Sequence, residues 1–143
     1  MKDVDFLKNS HLVLLGATAL AQVWHDARAN WLYVQWRGPY EHATAQAGWE
    51  LLLQCLRRQQ QLPTRLLNDA RYAAAWPGHE QWAGEALFPT LAQAGVHYMA
   101  CVNPEALPGR FSMEMTLRSA PQPFVASFED LAAAYSWLQQ WAA

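Results

Sequence analysis

The sequence predicts an α/β domain: an amino-terminal β-hairpin, then alternating helices and strands forming a mixed, mostly parallel sheet with helices packed against it. Three observations predict it. Residues 20–25 and 31–36 alternate with a period of two around a polar junction, residues 26–30, rich in the Asp and Asn that turns favour. Apolar residues then recur at spacings of three and four over residues 42–60. Beyond them, short apolar runs at residues 64–68, 97–102 and 123–127 are each reached through a helical segment, and right-handed crossovers between such strands make them parallel.

Residues 1–10 mix Lys and Asp and read as a polar lead-in. Residues 11–15 are a short apolar run before Gly16, but Ala19, Leu20 and Ala21 stand where a dinucleotide fingerprint needs glycines, so no cofactor is expected there. The hairpin aromatics Trp24, Trp31, Tyr33 and Trp36 suit cross-strand packing better than a binding surface.

The first helix presents Ala45, Trp49, Leu52, Leu53 and Leu56 on one side. Gly48 is a weak point in it, costing roughly 1 kcal/mol against Ala if exposed. Pro63 stops the helix, and the next strand ends in Asn68 and Asp69, with residues 71–76 expected as a loop. A second helix over about residues 78–94 carries Trp82, Ala86, Leu87 and Leu91, and Pro89 should kink or split it.

Gly95 is placed to cap that helix. Asn103-Pro104 and Pro108-Gly109 read as loop punctuation, and residues 111–117 as one or two helical turns. Ser127, with Asp130 three residues on, is expected to cap the last helix, whose face is Leu131, Ala134, Tyr135, Leu138 and Trp141.

At 143 residues with 52% hydrophobic content and eight Trp, one domain spanning residues 1–143 is expected, burying roughly 70% of its unfolded surface. The net charge of −2 and scattered Lys and Arg give no footprint for nucleic acid or an anionic membrane. No run approaches a membrane span or a signal peptide, so a cytoplasmic location is expected. Cys55 and Cys101 read as small core residues. The five His lack ligand spacing and no Ser sits in a nucleophile elbow, so neither a metal nor catalysis is expected.

The binding candidates are Asn68, Asp69, Arg71, Tyr72 and Trp76, because open α/β sheets carry their sites at the carboxyl ends of parallel strands. The blander reading has Asp69 accepting N–H bonds from its own loop and Arg71 pairing with a surface carboxylate.

Residues 31–38 (WLYVQWRG), 66–69 (LLND), Pro89 with Ala94-Gly95-Val96, Ala100-Cys101-Val102, the strand ending at Phe128, and Trp137-Leu138 together resemble the STAS-like, or SpoIIAA-like, domains over about residues 20–142. That resemblance implies a non-catalytic regulatory domain that engages a protein partner through residues 68–76, the following helix start and the hairpin aromatics. The family's phosphorylated Ser or Thr is missing here, since none occurs between residue 69 and Thr90.

The fold is also similar to lipid-binding domains of the Sec14 type, which implies an alternative: a lipid or other apolar molecule held by Trp76, Trp82, Phe88, Phe111 and Met113. A homodimer through the hairpin or exposed Trp is a further expectation, given the apolar content.

Overall fold

A computed structural model describes residues 11–141 of the chain; the expected polar lead-in, residues 1–10, lies outside them. The described residues form a six-stranded sheet whose strands lie side by side in chain order. β1 (Leu12–Ala17), β2 (Ala21–Asp26) and β3 (Trp31–Gly38) make an antiparallel meander. β4 (Arg65–Ala73), β5 (Tyr98–Val102) and β6 (Phe124–Phe128) then add in parallel to β3. The α/β class and the mixed, mostly parallel sheet are as the sequence predicts.

The helices are α1 (His42–Arg57), α2 (Glu80–Trp82) and α3 (Phe88–Gln93) joined by a π-helical segment (Ala83–Leu87), α4 (Leu107–Ser119) and α5 (Leu131–Gln139). Strand alternation gives the sheet two cores. On one face Val23, Leu32, Val34, Leu66 and Met99 meet Leu52 and Leu56 of α1, Phe88 and Leu91 of α3, and Met113 of α4. On the other, Trp31, Tyr33, Leu67, Ala100 and Val102 meet Leu131, Ala134 and Leu138 of α5. Each fully buried Leu here is worth roughly 2 kcal/mol against exposure.

Several expectations are corrected. The apolar run before Gly16 is a strand, β1, so the hairpin is part of a three-stranded meander. Residues 71–73 continue β4 instead of starting a loop, because Arg37 and Gly38 of β3 pair with Tyr72 and Ala73. Pro108 lies in the first turn of α4, where a missing N–H costs nothing, so that helix is 13 residues long. Ser127 belongs to β6, and Asp130 itself caps α5 by accepting from Ala133 N at 2.7 Å.

Two expectations hold with a reason. Pro89 splits its helix, and the π-helical segment before it relieves the clash between the ring and the preceding turn. Gly95 adopts φ +113° directly after α3, a conformation that L side chains resist. Gly48 also has a cause: a Cβ there would stand 2.6 Å from Cζ3 of Trp36, so its absence is what lets α1 lie against the sheet.

Candidate functional site

Between the sheet and α1–α4 lies a cavity of about 80 Å³ that opens toward solvent. Its walls are mainly aromatic, with Trp36 from β3, Trp49 from α1, Trp76, Trp82 and Phe88. Trp36 and Trp49 pack with ring centroids 4.9 Å apart, and Trp49 meets Phe88 at 6.0 Å. Met113 and Thr116 of α4 close it, and Tyr40 and His79 line its rim.

The polar groups of the cavity are held by these same aromatics. Trp36 Nε1 donates to Asn68 Oδ1 at 2.8 Å, and Trp76 Nε1 donates to Thr116 Oγ1 at 2.8 Å. An indole N–H only donates, which fixes the Asn68 amide with its oxygen toward Trp36 and its nitrogen toward Cys101 Sγ, 3.5 Å away. The Cys101 thiol is fully buried, and burial pushes its pKa up to about 12. It is therefore a neutral, weak hydrogen-bond partner.

Residues 74–79 form the strap over this cavity. Trp76 N donates to Ser112 Oγ at 3.1 Å, Ser112 Oγ donates to Glu80 Oε2 at 2.9 Å, and Gly78 N donates to Glu80 Oε1 at 2.9 Å. At the rim, His42 and His79 stack with centroids 4.5 Å apart. The Tyr40 hydroxyl lies 2.7 Å from His42 Nδ1, and burial raises the Tyr40 pKa.

The opposite face of the sheet carries a second polar group, beside α5. Asp69, fully buried, accepts from Tyr33 Oη at 2.6 Å and from Arg71 Nε and Nη2 at 2.9 and 2.7 Å. Its Oδ1 also accepts from Arg71 N at 3.1 Å, a local turn-like bond. Burial chiefly, then the Asp69 carboxylate, raises the Tyr33 pKa, while Arg71 and a hydrogen bond from Gln35 oppose it. Arg37 and Arg71 lie over the Tyr72 ring, 4.6 and 4.9 Å from its centroid.

The five sequence candidates thus divide. Asn68 and Trp76 line the cavity, whereas Asp69, Arg71 and Tyr72 gather on the other face. Consecutive strand residues point to opposite faces, which separates Asn68 from Asp69. Arg71 pairs with the buried Asp69. Trp76, Trp82, Phe88 and Met113 line the cavity as expected of an apolar pocket, but Phe111 lies on the outer side of α4, 62% exposed. Trp36 and Trp49 join them in the wall, outside the set of pocket residues the sequence suggests, although the period-two run and the α1 stripe put each on a buried side.

Compared with family models, curated proteins and solved structures, the chain matches none. Among the described residues, no helix is long and apolar enough to cross a membrane, and no three His, Cys, Asp or Glu are grouped to hold a metal ion.

Proposed function

We propose that this chain is a non-catalytic binding domain that takes a small apolar molecule in the cavity between the sheet and α1–α4. The observation that carries the reading is the wall itself: four indoles and Phe88 around a space that opens to solvent, with buried polar groups at its base. Ligand pockets are commonly apolar with a few placed polar groups. The volume, about 80 Å³, is roughly half that of an engineered cavity that admits benzene, so the site suits one end of a compact molecule and not the acyl chains of a lipid.

The test is a titration of small aromatic compounds followed through the indole N–H resonances of Trp36, Trp49, Trp76 and Trp82. Saturable shifts confined to these four are expected, and Ala70→Val, which fills the cavity from β4, should abolish them while the fold persists. No saturable shift with any compound would end this reading.

The regulatory role that the STAS-like resemblance implies draws less support. Asn68 and Asp69 are buried, as are Trp31 and Tyr33 of the hairpin, so these side chains are not displayed to a protein partner. Self-association draws on one observation: among the described residues β1 lies at the sheet edge with Val13, Leu14 and Leu15 exposed, and an uncharged apolar edge is a template for strand pairing. Sedimentation would test it, with Leu14→Lys expected to shift any dimer to monomer; a monomer at all concentrations would remove it.

A further inference from the structure

Resting on the cavity reading above, we infer that the ligand's buried end is a hydrogen-bond acceptor, a carbonyl or carboxylate oxygen on a compact apolar body, and not an amine or ammonium group. The inference comes from counting what the polar groups at the base have left to give. Asn68, 3% exposed, and Thr116, 1% exposed, both line the cavity.

The Asn68 oxygen is engaged by Trp36 Nε1, and the indole N–H of Trp76 is engaged by Thr116 Oγ1. The indole donors of Trp36 and Trp76 are thereby used, and the Asn68 side-chain oxygen is already engaged. What stays without an oxygen acceptor among the described residues is donor capacity. The Asn68 amide has two N–H bonds and meets only the Cys101 sulfur, at 3.5 Å. The Thr116 hydroxyl accepts one bond and has its own proton to give.

A buried donor without an acceptor is costly, so a ligand oxygen that takes these N–H and O–H groups gains more than one that brings further donors. Charge agrees. An aromatic enclosure by itself would suit a cationic ligand, yet among the described residues lining the cavity none is Asp or Glu. An ammonium group entering it would lose its water and meet no carboxylate. Rim residues Tyr40 and His79 neighbour the opening, where the rest of the molecule would emerge.

Four probes of similar size separate the possibilities on the full chain: acetophenone, benzoate, ethylbenzene and benzylamine, each titrated against the indole signals and the Asn68 side-chain amide signals. Acetophenone, benzoate or both should bind about tenfold more tightly than ethylbenzene, the worth of one good bond to a buried donor. The Asn68 amide signals should move with them and not with ethylbenzene. Their relative affinity tells a neutral carbonyl from a carboxylate.

Thr116→Val should narrow the preference without abolishing ethylbenzene binding; if it does not fold, the probe comparison on the unaltered chain decides alone. Ethylbenzene or benzylamine binding as tightly as either oxygen-bearing probe would overturn the inference and leave the cavity reading standing. No saturable change with any of the four would overturn both.

Discussion

Tyr33 donates to Asp69 Oδ2 at 2.6 Å between adjacent parallel strands, closing a buried group in which Arg71 takes the same carboxylate from the other side. A fully buried carboxylate is tolerable only because each of its oxygens is bonded. Tyr33→Phe keeps the ring and its stacking on Trp24 but deletes the donor, and should cost about 1–3 kcal/mol in urea unfolding. Asp69→Asn should cost more, about 3 kcal/mol, since it removes the charge facing Arg71. A cost below about 0.5 kcal/mol for both would mean that the group does not hold the strands together.

The same hydroxyl governs alkaline stability. Burial and the Asp69 carboxylate hold the folded pKa of Tyr33 above the unfolded value of about 10. The stabilisation is complete below that pH and is lost as pH rises through the window above it, because the unfolded chain releases a proton that the native state keeps. Phenolate absorbance from Tyr33, isolated by difference from Tyr33→Phe, should therefore appear together with loss of far-ultraviolet circular dichroism. Its appearance near pH 10 in a still folded chain would contradict this.

Gly48 should resist the usual rule that Ala strengthens a helix. The propensity gain of roughly 1 kcal/mol is opposed by a Cβ placed 2.6 Å from the Trp36 ring and 3.2 Å from the Ala21 Cβ. Overpacking costs about 1–3 kcal/mol, so Gly48→Ala should destabilise on balance. In a Trp36→Phe background that cost should shrink, a coupling that a double-mutant cycle measures. Equal costs in both backgrounds would place the strain elsewhere.

The sequence was legible where one face of an element is buried and the other is not. The period-two runs of β2 and β3 and the apolar stripe of α1 each announce a side. β1 was not legible, because Leu12-Val13-Leu14-Leu15 has no alternation to read, being an exposed edge. The end of β4 was hidden for another reason: Arg71 and Tyr72 are polar, and pairing with Arg37 and Gly38, set by a distant strand, extends the strand through them. Asn68 and Asp69 lie mid-strand in β4, which runs on to Ala73, and not at its carboxyl end, although they pair with Cys101 and Val102 where β5 ends. Taking neighbouring residues as one site ignored that a strand sends them to opposite faces.

The two thiols should be chemically silent in the native state. Cys55 and Cys101 are both buried, burial raises the pKa of each, and for Cys101 it reaches about 12. Only the thiolate reacts, so an alkylating reagent at neutral pH should label neither until the chain unfolds. Labelling of Cys101 faster than global unfolding would reveal an opening of the cavity beside Asn68 large enough to admit the reagent.

Access to the cavity should be set by Ser112. Its hydroxyl accepts from Trp76 N and donates to Glu80 Oε2, tying the strap to α2 and both to α4. Ser112→Ala leaves the Trp76 N–H and one Glu80 oxygen without that partner, a loss of about 1–3 kcal/mol felt first in the strap. Hydrogen exchange at Trp76 and Gly78 should quicken while the amides of Leu67 and Ala100, deep in the sheet, stay protected. Association of a cavity ligand should quicken with it, because the strap carries Trp76, one wall of the site. Glu80→Gln keeps only one of the two oxygens that accept from Ser112 Oγ and Gly78 N, but it leaves the Trp76 N–H bond to Ser112 in place and should show the smaller effect. If Ser112→Ala alters the strap and the sheet amides in equal measure, the hydroxyl supports the whole fold and does not gate the cavity.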